Sequence, residues 1–564
     1  MKMLNYIYKI IVQIFFVIIF LSTLQAKSLD KFSKADNISS YFSGILLLNN
    51  NQYEESFRNL KKLNGLERDH INYSVKYLYS LVNSGNFKEA FNYAKKLEKQ
   101  KLESFESQLI IGIFYLKNSN IDLAQEYFFK ARKKNSRFIL NQFVSKSLYH
   151  WSSLKNYNFD QASLEIEKMD DRFENIKEIQ NVFLNCYFNN SNTSNLFKKL
   201  TSNKKTDFSR YNYFYSSYVA SMGNRDNAKD IIKFALKSYP RNLLLNQLKL
   251  DLEDKKIPLS FNCKNESHVI AEILYITANA LSSQSLYSLS NYYLNLAKYL
   301  NEDFHSYNTL FAENFFKIEN FSKSKKIYKN LAKQGKAFEW YSSKQLARIF
   351  IKEKDKEKAI KVLSISYNNL LNKGIYETFD YAEFLKNNEK FEESIIYYSR
   401  IIDAINKDHL LYAEVMDGRG IAYERIGEWD KAEKDLLESL EVNPDQAYVI
   451  NYLAYSWIEK GLNIEKSLRM LEKANKLKSN DPYIVDSLGW ALFKLDRYKE
   501  SKEYLQLAVK LLPGDPVVND HYGDVLWKNG KQIQARYYWN YVLNLEKTED
   551  ELKENVEKKL SKGL

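Results

Sequence analysis

Four small residues, Gly420, Ala454, Gly489 and Gly523, stand 34, 35 and 34 positions apart, and each opens the same pattern. Twelve or thirteen residues on comes a second small residue: Ala432, Ser467, Ser501 and Ala535. Four further sits a large one, Leu436, Leu471, Leu505 or Trp539, and three beyond that Ser439, Ala474, Ala508 or Val542. Pro444 and Pro513 close two of the units. The period fits a pair of antiparallel helices, in which small residues allow close approach and large ones fill the space between neighbouring pairs. Such a unit cannot bury its face alone and must stack, so the period overrides the three or four domains that 564 residues would otherwise suggest. Only 6 Pro and 16 Gly punctuate the chain, which favours long helical stretches over a turn-rich all-β architecture.

The register runs backwards with fading fidelity. Ala278, Ala312, Ala347 and Ala382 occupy the first small position, with Ser290, Ser324, Ala359 and Ser394 twelve further on. Nearer the N-terminus, Gly44, Leu78 and Gly112 are followed by Ser56, Ala90 and Ala124, and Ser216 with Ala228 marks another unit. Residues 140–205 and 241–270 fit poorly, and only helix pairs are expected there. IPLSFNCKNESH, at 257–268, interrupts the pattern and is the expected joint between arrays at 27–256 and 269–406. A second break near 407 precedes the near-consensus array at 407–546. Residues 547–564 then read as a capping helix, with Thr548 and Glu551 in capping-box spacing and Leu552, Val556 and Leu560 on one stripe.

Period and pattern resemble the tetratricopeptide repeat, whose signature places Gly, Tyr, Ala, Phe, Ala and Pro at such offsets. The resemblance implies an all-α fold, an α-solenoid winding as a right-handed superhelix of about thirteen to fifteen helix pairs with a continuous core. The strings DSLGW and NDHYGD-LW, within residues 481–539, are also similar to exported tetratricopeptide proteins of Gram-negative, mostly alphaproteobacterial, cells. That likeness covers about a quarter of the chain and implies an envelope location more than any activity.

The N-terminus points the same way. Lys2 and Lys9 precede an apolar run from Ile10 to Leu21, and Leu24-Gln25-Ala26 follows. Charge, short apolar core and small residue in that order read as a secretory signal over residues 1–26, cleaved after Ala26, with a periplasmic product. An uncleaved inner-membrane anchor is the alternative, since Leu24 is large for its place. No Cys follows the apolar run, which excludes lipid attachment of the bacterial lipoprotein kind. Cys186 and Cys263, the two cysteines of the chain, either pair or stay as buried thiols.

The formal charge of +13 is uneven: residues 411–564 hold 23 basic and 27 acidic side chains, a net of −4, which leaves +17 for residues 1–410. Without a compact basic cluster or a nucleic-acid motif, this excess reads as solvated helix faces, and nucleic acid is not an expected partner. The alternative function that it supports is binding of an anionic envelope polysaccharide or lipid surface by the basic N-terminal array.

The resemblance also places residues on the concave groove that the first helix of each repeat lines. They are Glu414, Asp417 and Ile421; Tyr448, Asn451 and Tyr455; Tyr483, Asp486, Trp490 and Phe493; Asp520, Asp524 and Trp527. Aromatic side chains beside carboxylates anchor a bound segment at low entropic cost, so the expected partner is a protein or peptide carrying Lys or Arg. The expected function is a non-enzymatic scaffold that docks partners in this groove. His521 sits beside Asp520 and Asp524, yet no nucleophile, HExxH pair, CxxC, phosphate loop or GxSxG elbow accompanies it. No catalytic residue, metal or cofactor is therefore expected. His521 reads as a helix-shoulder residue contacting its neighbours.

Overall fold

The computed structural model describes residues 35–134, 138–203, 205–256 and 260–564. The expected secretory segment lies outside these residues. Among them there is no strand, and thirty α-helices run from Ala35–Asn49 to Asp550–Lys562. Twenty-eight form fourteen consecutive hairpins, joined by the single helix Leu243–Glu253 and closed by Asp550–Lys562. The fold is an all-α solenoid of helical hairpins. No helix among the described residues is long and apolar enough to cross a membrane.

The spacing read from the sequence has a direct physical meaning. In four hairpins where the second small residue is Ser, its hydroxyl donates to the carbonyl of the first, twelve residues back, and so ties the two helices together, whereas Ser394 donates within its own helix to Phe391 O at 2.7 Å. Ser56 bonds Gly44 O at 2.8 Å, Ser290 bonds Ala278 O at 2.7 Å, Ser324 bonds Ala312 O at 3.0 Å and Ser501 bonds Gly489 O at 2.7 Å. In the 454/467 pair, where the spacing is thirteen, the buried Ser467 hydroxyl has no such partner. The large residue sixteen positions after the first small one fills the room that a Cβ would take. A Cβ on Gly112 would come within 2.5 Å of Phe128, and one on Gly489 within 2.7 Å of Leu505. Glycine is required there for close approach, not for its dihedral freedom. Turns add a periodic signal of their own: Gly427, Gly461, Asp496 and Gly530, all with positive φ, end the first helices of the last four hairpins.

The described residues divide into two compact units, 35–362 and 363–564. In the first unit, the residues on both sides of the expected joint belong to one body, and one hydrophobic cluster runs from Leu60 to Tyr307. The reason is a fold-back. The hairpin formed by Glu266–Ser283 and Tyr287–Leu300 packs against the first helices of three earlier hairpins, Ile71–Asn83, Phe105–Lys117 and Ile139–Ser152. In a solenoid of this kind those helices line the inner wall, so the chain fills the hollow of its own N-terminal array.

Residues 260–268 are therefore an anchored segment. Phe261 is buried and sits 4.4 Å from Phe214 and 5.1 Å from Phe183, ring centre to ring centre. Cys263 is bonded to Cys186, with 6.0 Å between their Cα atoms. Arg210 grips the fully buried Glu272 through two bonds of 2.7 and 2.9 Å while stacking 4.1 Å from the Tyr275 ring centre. A bidentate, charge-assisted pair of this kind fixes the orientation of the inserted helix. Tyr53, Leu48 and Phe315 form a further cluster, and Asn291 donates to the Tyr53 hydroxyl at 2.9 Å, which joins the first hairpin to the seventh and eighth.

In the second unit the core is a series of small clusters rather than one continuous body. Leu436, Val449, Leu453 and Trp457 form one; Ala447, Ile450, Ala474 and Ile484 form the next, with half-buried Leu440 and Met470 packed against both. The final helix, Asp550–Lys562, buries Val556 with Leu552 and Leu560 against the Trp539 cluster, as its stripe suggests. The capping box does not form: Glu549 is the N-cap without a side-chain bond, and Thr548 donates instead to Val542 O at 2.6 Å.

Candidate functional site: the inner wall of the second unit

Each first helix in this unit is fixed by its own start. Asp481 and Asp515 cap Pro482–Lys494 and Pro516–Lys528 by accepting from the backbone of Tyr483 and Ile484, and of Val517 and Val518, at 3.0–3.3 Å. Proline at the first helical position, which lacks the amide that would otherwise go unpaired, sharpens both starts.

Of the thirteen candidate residues, the ten on the last three hairpins fall into three groups by exposure. Tyr448 and Tyr483 are 53% and 55% exposed and stand at equivalent positions one repeat apart; Val517, the next equivalent, is 43% exposed. Tyr448 donates to Asp481 at 2.9 Å and lies under Lys478, whose Nζ is 3.9 Å from the ring centre. Asn451, Tyr455, Phe493 and Trp527 are half-buried. Asp486, Trp490, Asp520 and Asp524 are buried and already partnered.

These four are held in part by residues that the groove register did not single out, His521, Glu459 and Lys559. Asp486 Oδ2 lies 2.9 Å from His521 Nδ1, and its other oxygen is buried without a partner, as is the side-chain oxygen of Asn451 at the equivalent position of the preceding repeat. The Trp490 ring stacks 3.9 Å from His521 and 4.7 Å from Phe493, and its indole donates to Glu459 at 2.6 Å. Lys559, from the final helix, donates to both oxygens of Asp520 and to Asp524, each at 2.8 Å, while Asp524 accepts from the Trp539 indole at 3.0 Å. Trp527 packs 5.3 Å from Trp539 with Arg536 over its ring at 4.9 Å. The cation expected from a partner is thus supplied at this end by the chain's own Lys559. The final helix turns the Lys559 charge inward onto this acidic pair. A signal existed in the sequence: two carboxylates four residues apart on a buried helix face need a counter-ion.

Burial disfavours the His521 imidazolium, but Asp486, followed by Asp520 and Asp524, outweighs it and raises the pKa above the usual histidine value. Burial together with Asp520 pushes Asp524 up to about 6 despite Lys559, and burial pushes Asp417 up to about 6 as well. A raised histidine pKa contributes stability that is complete below about 6.5 and is lost as pH rises through the folded value. The raised carboxyls act in a separate window, between about 4 and 6, again favouring the fold at the acid end. Between pH 6.5 and 9 the His521→Gln variant is therefore expected to show a flatter pH dependence of the hydrogen-exchange protection of Pro516–Lys528 than the wild type. Parallel curves would mean that His521 gains nothing from Asp486.

The geometry defines a class: an α-solenoid of hairpins whose first helices build one wall and whose small residues recur every 34 or 35 positions. Residues 317–548, about two fifths of the chain, match the tetratricopeptide repeat family. The chain is 29% identical over 126 residues to the TPR repeat-containing protein PA4667 of Pseudomonas aeruginosa, a stretch that covers 22% of this chain and 20% of that protein. Among solved structures, MamA of Desulfovibrio magneticus RS-1 is 18% identical with a TM-score of 0.28, covering 32% of this chain and 99% of that one. YrrB, described as a TPR protein with an unusual peptide-binding site, is 14% identical with a TM-score of 0.27, covering 33% and 92%.

Proposed function

We propose that the protein is a non-enzymatic docking scaffold of the bacterial envelope whose second unit receives a segment of a partner protein along Tyr448, Tyr483 and Val517. The observation that carries this reading is their repetition: one large, half-exposed apolar or aromatic side chain at the same position of three successive first helices. Rigid tyrosines bury large contact area at small entropic cost. A Lys or Arg of the partner must displace the buried Lys559 to reach Asp520 and Asp524, whereas both tyrosines are more than half exposed and only the surface Lys478 covers one ring. Export is supported by the signal-like residues 1–26 and by the Cys186–Cys263 bond, because disulfides persist in oxidising compartments.

The test is a double substitution, Tyr448→Ala with Tyr483→Ala, in the full chain. Capture of the envelope partner is expected to fall at least tenfold with the melting temperature nearly unchanged, since both side chains are exposed. Undiminished capture would exclude this wall. Asp486 and Trp490 do not serve for such a test, because replacing either one breaks contacts within the fold.

A further inference from the structure

The fold-back of the first unit leaves a cleft of about 680 Å³ where the turn of the second hairpin meets the inserted helix Tyr287–Leu300 and the hairpin after it. Its walls come from positions as far apart as Gly85 and Gln334, so it exists only in the folded unit. The volume falls within the roughly 300–1,000 Å³ range of small-molecule sites.

The lining mixes two chemistries. Phe87 and Tyr299 stack 4.1 Å apart, with Lys117 5.6 Å from the Tyr299 ring centre, and this aromatic pair forms one wall of the cleft. Around them stand the side-chain amides of Asn295, Asn308, Asn330 and Gln334, each a carrier of both donors and an acceptor. Aromatic faces beside amides complement a sugar, which presents C–H faces and a ring of hydroxyls. The charges add direction. Lys298 donates to the neutral Asn308 at 3.0 Å and has no carboxylate within ion-pair distance among the described residues, while Glu302, at the rim, is paired with Lys117 at 2.9 Å. His305 lines the same cleft. Burial lowers the pKa of both Lys298 and His305, with Glu302 and Asp303 respectively opposing it, and the Lys298 charge lowers that of His305 further, so the imidazole is mostly neutral near pH 7. An anion beside Lys298 would give its ammonium the charged partner that Asn308 does not supply.

We propose that this cleft binds an acidic saccharide, with a sugar ring beside the Phe87–Tyr299 pair, hydroxyls on Asn330, Gln334 and the amide oxygen of Asn295, whose N–H groups already bond Asn83 and Asn291, and the acid group on Lys298 with His305 beside it as a neutral hydrogen-bonding partner. The site is independent of the partner wall in the second unit. Calorimetric titration of the full chain with trigalacturonate, cellotriose and inorganic phosphate tests it. Trigalacturonate is expected to bind, cellotriose at least tenfold more weakly because it lacks the acid groups, and phosphate more weakly still because it lacks the ring and hydroxyls. Lys298→Gln is expected to reduce trigalacturonate affinity at least tenfold, and the exposed Asn330→Ala several-fold, with an unchanged melting temperature for Asn330→Ala. Absence of trigalacturonate binding, equal binding of cellotriose, or full affinity in both variants would overturn the proposal.

Discussion

Replacing Lys559 by Met is expected to unravel the last repeat without disturbing the rest of the chain. The side chain is largely buried, and its ammonium is the shared counter-ion of Asp520 and Asp524, which are 7% and 3% exposed. Removing one partner of a buried ionic cluster leaves the others uncompensated and typically costs about 3–5 kcal/mol. In a solenoid each repeat is held mainly by its neighbours, so the loss stays at the end. Hydrogen exchange is the suitable readout, because a chain of many repeats does not unfold in one step. Protection across Pro516–Lys528 should fall by more than about a hundredfold, the equivalent of about 3 kcal/mol, while helices of the first unit keep theirs. Adding Asp520→Asn and Asp524→Asn to the same chain should restore most of the protection, since neutral amides tolerate the loss of the cation. If Lys559→Met alone left the exchange unchanged, the final helix would not be the partner of this acidic pair.

The second large effect concerns Gly523. A Cβ there would lie 2.5 Å from Trp539 Cδ1, and Trp539 is fully buried with its indole fixed on Asp524. Neither helix can retreat, because the same contact closes the hairpin. Gly523→Val is expected to cost about 3 kcal/mol, at the upper end of ordinary overpacking. Gly514→Ala is the control: nothing lies within 4 Å of the added atom, and this glycine is not among those with positive φ, so the change should be neutral or stabilising by about 0.4–1 kcal/mol. Equal melting behaviour of the two variants would show that the repeat's small positions are not close-approach sites.

The hairpins were legible because their contacts are local. A residue and its partner twelve or sixteen positions on recur every 34 or 35 residues, and the Ser501 to Gly489 bond and the Gly489 to Leu505 contact are direct readings of that arithmetic. The fold-back of Glu266–Leu300 was not legible, since contacts such as Asn291 with Tyr53 span 238 residues and leave no period. A trace was present: Glu266–Ser283 is 18 residues long, with apolar residues on nearly all sides, which marks a helix buried all round. For the candidate site, the register placed Asp486, Asp520 and Asp524 on one wall. It could not show that His521 and Lys559 satisfy them, because Lys559 lies outside the repeats and its reach depends on how the final helix docks. The open positions Tyr448 and Tyr483 were on the same register, though nothing in the spacing separated them from buried neighbours such as Trp490.

The most direct test of the docking wall is a photoreactive side chain installed in place of Tyr483 and activated in intact cells. One dominant crosslinked product is predicted, formed also from Val517 and lost when Tyr448 is changed to Ala. Ile533, 87% exposed on the second helix of the last hairpin, should give none. Crosslinks from Ile533 with nothing from Tyr483 or Val517 would contradict the account and move the docking face to the opposite side of the array.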